Sequence, residues 1–259
     1  VIIAVANQKG GVAKTTSTLN LGAALHEAGY KVLMVDMDPQ ANLTLSMGIN
    51  PESLTASLYH VLVGECKAES ILRTTVEGDL LPASIELAGA EIELINELGR
   101  EAVLKDKLAP LVERYDFVLI DTPPSLGLLT INSLNAASGV LIPMQCHYLS
   151  AKGVQLLLTT IDKVKTKLNP TLRILGLLPT MYDRRLLLAK EVLSEMQERF
   201  GELVFETVIA SSVRAAESPI AGQSLISYQP NSPLSESYRQ LAQEVVERVK
   251  PQPTLEAVR

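Results

Sequence analysis

The segment Lys9-Gly10-Gly11-Val12-Ala13-Lys14-Thr15-Thr16 joins a short apolar run, Val1–Ala6, to a stretch of helical period, Thr15–Ala28. It restricts the fold more than any other part of the chain. Glycine lets backbone N–H groups turn inward and approach a ligand closely, and a helix start adds partial positive charge. Such a cradle suits phosphate oxygens. Lys14 would reach the outer phosphates of a nucleotide, and the Thr15 hydroxyl would ligate Mg²⁺. The plainer alternative is a Gly-Gly turn with incidental lysines. A strand before it, a helix after it and Lys-Thr-Thr at the helix start argue against that alternative.

The rest of the chain alternates in a way that fits such a loop. The runs Val1–Ala6, Lys31–Val35, Leu80–Pro82, Phe117–Ile120, Val140–Met144, Arg173–Pro179 and Val204–Ile209 are predicted strands. The stretches Thr15–Ala28, Leu54–Val63, Gly89–Leu98, Ala102–Arg114, Leu126–Ala136, Ala151–Leu168, Leu186–Phe200 and Ser235–Lys250 are predicted helices. This order predicts an α/β fold with βαβ crossovers: a single-domain, twisted, mostly parallel sheet with helices on both faces. The domain is expected over residues 1–250, with 251–259 as a C-terminal tail. Phe117–Ile120 and Val140–Met144 are unbroken apolar runs, as strands buried on both sides require.

Two acidic segments fall at strand ends, where parallel sheets bind ligands. The first is Val35-Asp36-Met37-Asp38-Pro39-Gln40-Ala41-Asn42, in which Asp38 is a candidate to orient an attacking water. Taken alone it reads equally well as a polar turn. The second is Phe117-Val118-Leu119-Ile120-Asp121-Thr122-Pro123-Pro124, in which four apolar residues end in Asp121, a candidate to hold Mg²⁺ through water beside Thr15.

The glycine-rich segment is not the ordinary phosphate-binding loop, because Gln8 stands where the first glycine would be and Lys9 heads the loop. In this it resembles the deviant Walker A box of the ParA/MinD family of P-loop ATPases. The block from Asp36 to Gln40 matches that family's Asp-x-Asp-Pro-Gln without a change. Similarity continues through Gly127–Ala136, Gly176–Asp183 and Asn231–Val249, and the short lead before the loop is similar to the small chromosomal, Soj-type members. The resemblance implies ATP and Mg²⁺ as cofactors, held by Lys9, Gly10, Gly11, Val12, Ala13, Lys14, Thr15, Thr16 and Asp121. Thr15 would bind the metal directly, and Asp38 and Asp121 through water. It makes Lys9, Lys14 and Asp38 the catalytic set, with Lys9 reaching the partner's nucleotide across an ATP-dependent sandwich homodimer. Hydrolysis would be slow and stimulated by a ParB-like or cargo-adaptor protein. Ala13 departs from the family, which has glycine there. A Cβ costs about 1 kcal/mol or more where φ is positive, so slowed hydrolysis or weakened dimerisation is expected.

The resemblance further implies non-specific DNA binding by arginines at Arg184, Arg185 and Arg214, and so the segregation or positioning of chromosome, plasmid or cargo on the nucleoid. The formal net charge of −6 restricts that contact to a small patch. Ala210-Ser211-Ser212 replaces a usual Pro-Arg-Asn, and Gln223 stands where lysine is common. A solvated arginine surface is the plain alternative. A related ATPase that spaces a protein cargo such as a carboxysome fits nearly as well, given Ala13, the thinned arginines and Lys152. A MinD-like membrane-bound division regulator needs a basic amphipathic last helix. Leu241, Val245, Val246 and Val249 read instead as core packing, and no membrane contact is expected. An iron–sulfur reductase would need cluster cysteines, whereas Cys66 and Cys146 read as buried hydrophobes in a reducing cytoplasm. An amide-forming synthetase on this fold has no motif of its own here.

Overall fold

The computed structural model describes residues 1–146, 151–212, 218 and 220–250, without the side chains of 151–153. Arg214, Lys152 as a side chain, His147 and the tail 251–259 lie outside the described residues. Among the described residues seven strands form one sheet: β1 (Ile2–Val5), β2 (Val32–Asp36), β3 (Arg73–Thr75), β4 (Gly78–Leu81), β5 (Phe117–Asp121), β6 (Gly139–Gln145) and β7 (Arg173–Thr180). Their spatial order is β3-β4-β2-β5-β1-β6-β7. Every pairing is parallel except β3 with β4. The helices are α1 (Lys14–Glu27), α2 (Asn42–Ser46), α3 (Leu58–Leu62), α4 (Ala68–Ile71), α5 (Leu87–Glu93), α6 (Val103–Val112), α7 (Leu128–Ala136), α8 (Ala151–Lys167), α9 (Leu187–Phe200), α10 (Leu225–Tyr228) and α11 (Pro233–Val249).

Alternation along the strands divides the core between two faces. Ile3, Val5, Met34, Leu119 and Leu141 point to the side where α1, α10 and α11 pack, with Leu241, Val245 and Tyr238 of α11 buried against them. Ala4, Val35, Val118, Ile120 and Ile142 point to the other side, under α3 to α9. The mostly parallel sheet covered on both faces is thus the one expected. From β1 the chain passes over β5 to reach β2, whereas β5 leads to β6 on the far side of β1. This reversal opens the crevice in which doubly wound sheets bind ligands.

Four expectations need correction. Val204–Ile209 is not a strand; it meets β7 at an isolated bridge, Leu177 with Val204, and at the bond from Ile209 N to Pro179 O, and a second bridge joins Tyr182 and Ala210 just past both segments. Between those points Glu206 N and Thr207 N donate to the Glu244 carboxylate at 3.0 and 3.1 Å, which takes the backbone off the ladder. The helix expected at Leu54–Val63 begins at Leu58, because Ser57 and His60 form a reciprocal cap ahead of it. The helix expected at Gly89–Leu98 starts at Leu87 and tightens into a 3₁₀ turn over Leu94–Asn96. Cys66 is half-buried rather than buried, whereas Cys146 is fully buried.

Candidate functional site

The loop between β1 and α1 is held from three sides. Asn7, buried at the exit of β1, donates its amide to Pro143 O at 2.7 Å and accepts Lys9 N at 3.0 Å. Thr180 Oγ1, at the end of β7, donates to Val12 O at 3.1 Å. The Lys14 ammonium donates to Lys9 O at 3.2 Å and so spans the loop. Gly11 takes φ +69°, which glycine adopts freely. Ala13 takes φ +66° and ψ +34° as the N-cap of α1. The residue that departs from the usual glycine is therefore in the left-handed region, where its Cβ is strained. Ala13→Gly should raise stability by about 1 kcal/mol, which a shift of the denaturant midpoint at constant slope would register.

Carboxylates close the other side of the loop. Thr15 Oγ1 donates to Asp121 Oδ2 at 2.6 Å, and Thr18 Oγ1 approaches Asp121 Oδ1 at 3.4 Å. Asp121 and Asp36 end adjacent strands and are paired in register. Both are wholly buried. Burial, then the charge of Asp36, pushes Asp121 up to about 8. Burial pushes Asp36 up to about 6 against the hydrogen bonds it accepts from Thr44. The Lys14 ammonium is lowered by burial, and the charges of Asp121 and Asp38 oppose that shift. Asp38 accepts Gln40 N at 3.0 Å while its own N–H donates to Asp36 Oδ1 at 3.2 Å, so the turn after β2 is fastened to Asp36.

Three carboxyl groups, Asp36, Asp38 and Asp121, lie near one buried ammonium, and a hard divalent cation would favour their ionised form. Among the described residues no three His, Cys, Asp or Glu side chains converge on one point. The side chains that could hold such a cation are the Thr15 hydroxyl and, behind it, Asp121. The remaining ligands would be water and phosphate, as suits Mg²⁺.

A carboxyl group held above its ordinary value keeps its proton in the folded chain where the unfolded chain has lost it. Through Asp121 and Asp36, stability is present below about pH 4 and is lost as pH rises towards 8. The unliganded protein should therefore lose thermal stability between pH 5 and 8. Asp121→Asn should flatten that decline, and parallel pH profiles for the two proteins would contradict the assignment.

The other described candidates sit on α1, at the head of the loop and after β7. Thr16 sits in the first turn of α1, where its carbonyl accepts Asn20 Nδ2 at 2.7 Å. Lys9 is exposed, and its ammonium donates to Gln145 Oε1 at 3.0 Å. Arg184 and Arg185 are exposed on the loop after β7, whose last residue, Thr180, touches the cradle. Arg185 forms a two-pronged pair with Asp183, with Nη2 2.7 Å from Oδ2 and Nε 2.9 Å from Oδ1. Sequence reasoning passed over Asn7, Thr18, Thr44 and Gln145. Asn7 alone gave a signal, as an amide directly after an apolar strand and before the glycines.

Residues 1–174 match the AAA domain family. The chain is 47% identical over 244 residues to the chromosome-partitioning ATPase Soj of Treponema pallidum, covering 93% of this chain and 95% of that protein. It is 43% identical to a Mycobacterium smegmatis protein described as cobyrinic acid a,c-diamide synthase. That protein was solved with ADP and magnesium and with an ATP analogue and magnesium; the match has a TM-score of 0.85 over 95% of this chain and 94% of that one. The apo McdA structure from Cyanothece matches at 25% identity with a TM-score of 0.83, over 95% of this chain and 98% of that one.

Proposed function

This chain belongs to the Soj/ParA family of chromosome-partitioning ATPases, and from that premise we propose that it binds ATP with Mg²⁺ at Gly10–Thr16, closes into a sandwich homodimer and holds DNA until hydrolysis releases it. The observation that carries this reading is the part-buried Thr15–Asp121 pair at 2.6 Å beside the Lys14 ammonium. A hydroxyl, a backing carboxylate and an ammonium share one crevice, as a phosphate-bound cation needs. We read residues 1–250 as one ATPase domain.

The bound cation would draw charge from the phosphates. Lys14 would leave Lys9 O and pair with the outer phosphates. Asp38, fastened to Asp36, would hold the attacking water. Phosphoryl transfer needs little more than such placement and charge stabilisation. Lys9, the exposed cation at the mouth, would reach the partner's phosphates. Arg184, Arg185 and Arg214 would contact DNA phosphates, doubled by the two-fold axis and therefore sensitive to salt. The cellular place would be the cytoplasm, on the nucleoid, with a ParB-like partner stimulating hydrolysis.

A second reading is a protein-cargo positioning ATPase of the same family, favoured by Ala13 at φ +66° in the loop and by Ser211 and Ser212 in place of a basic residue. Membrane attachment through α11 is not proposed, because that helix packs its apolar residues Leu241 and Val245 into the core. Among the described residues no helix is long and apolar enough to cross a membrane. The synthase name of the M. smegmatis protein is not carried over.

The test is thermal unfolding with ATP, with Mg²⁺ and with both. A rise in Tm that needs both, together with phosphate release that Thr15→Ala suppresses, supports the reading. No response to any nucleoside triphosphate would end it.

A further inference from the structure

Lys9 is bound twice to strand β6. Its backbone N–H reaches Pro143 through the Asn7 amide, which accepts Lys9 N at 3.0 Å and donates to Pro143 O at 2.7 Å. Its ammonium reaches Gln145, two residues further along the same strand, directly at 3.0 Å. The Gln145 amide nitrogen donates to Met181 Sδ at 3.3 Å, which leaves the amide oxygen for the ammonium. Met181 itself is held at φ +53° in the turn after β7. The side chain expected to leave this subunit for its partner is thus docked on an acceptor of its own chain.

We propose that Gln145 is a positioning residue for Lys9. It holds the ammonium in cis at the mouth of the cradle, and the partner's phosphates must displace it before the ATP dimer closes. The proposal rests on the sandwich-dimer reading above and adds a residue to it. An exposed ammonium on a neutral amide is a modest hydrogen bond that an anionic phosphate can outcompete. The lysine is therefore ordered in the single subunit yet free to transfer. An acceptor of greater charge would hold it back, and no acceptor would release it. The two substitutions should act in opposite directions, which a merely structural role for Gln145 would not produce.

The experiment is sedimentation velocity of wild type, Gln145→Ala, Gln145→Glu and Lys9→Ala with a slowly hydrolysed ATP analogue and Mg²⁺. Gln145→Ala should tighten the dimer roughly two- to tenfold. Gln145→Glu should weaken it by a similar factor, and Lys9→Ala should abolish it. Dimerisation lost in Lys9→Ala but unchanged, or weakened, in both Gln145 variants overturns the role of Gln145 and leaves the sandwich reading standing. Weakening in Gln145→Ala with tightening in Gln145→Glu also overturns it, since Gln145 would then serve the partner. Dimerisation unaffected by Lys9→Ala, or absent in every protein, overturns both.

Discussion

Lys14→Ala should lower ATP turnover by about 10²–10³-fold, the loss seen when one preorganised charge is removed from a reacting centre, while the chain stays folded. Lys14 is 7% exposed and lies within the fields of Asp121 and Asp38. Its largest perturbation is burial, which disfavours the ammonium, so the fold gains little from it. Its structural contact is one hydrogen bond to Lys9 O at 3.2 Å. An ammonium kept in a crevice where burial works against it is there for a ligand more anionic than its neighbours. Single-turnover phosphate release, read beside an unfolding curve, separates the two effects. Turnover within a few-fold of wild type would remove Lys14 from the chemistry. A collapse in stability would make its role structural.

The largest stability effect is expected away from the site, at Gly176 in β7. A Cβ there would lie 2.6 Å from Arg248 Nη1, 2.6 Å from Phe205 Cε2 and 2.7 Å from Leu203 O. These three groups are one construction. The Arg248 guanidinium lies over the Phe205 ring at 4.1 Å from its centroid and donates to Leu175 O at 2.8 Å and Val204 O at 2.9 Å. Glu244, which captures the N–H groups of Glu206 and Thr207, is also paired with Arg248 at 2.8 Å. A side chain at 176 would drive α11 and the 203–207 segment off the sheet together. Gly176→Val should cost about 3 kcal/mol, or roughly 6–12 °C in Tm. Thermal unfolding checks this, and a Tm within about 2 °C of wild type would show that the contacts yield.

Much of the fold was legible because the strands that build the sheet centre are buried on both sides. Phe117–Asp121 and Gly139–Gln145 admit few polar residues, so their boundaries show in composition alone. Edge elements carry no such mark. β3 reads Arg-Thr-Thr, is only partly buried, and exists because the turn closed by Gly78 at φ +114° folds it back on β4. Val204–Ile209 has the composition of a strand, but Glu244 and Arg248, some forty residues later, take over its backbone and side-chain contacts. No local pattern announces that.

The site divides in the same way. Gly10, Gly11, Lys14, Thr15 and Asp121 could be read locally, since each belongs to a run whose spacing serves phosphate chemistry. Asp36 was visible only as a neighbour of Asp38. Its work, accepting Thr44 N at 2.8 Å and Thr44 Oγ1 at 2.7 Å to seat α2, depends on tertiary structure. The tie from Lys9 to Gln145 spans 136 positions and has no sequence signature. For the arginines, sequence named the residues but not their surroundings; the Asp183 fork on Arg185 is a competitor that any phosphate must displace.

The most direct test of the central claim is DNA binding by the purified protein with ADP and with ATP·Mg²⁺ across a salt series. Binding confined to ATP·Mg²⁺, falling steeply with salt and lost in Arg185→Ala, is the predicted result. Equal binding in both nucleotide states, or none in either, would contradict an ATP-closed dimer that holds DNA.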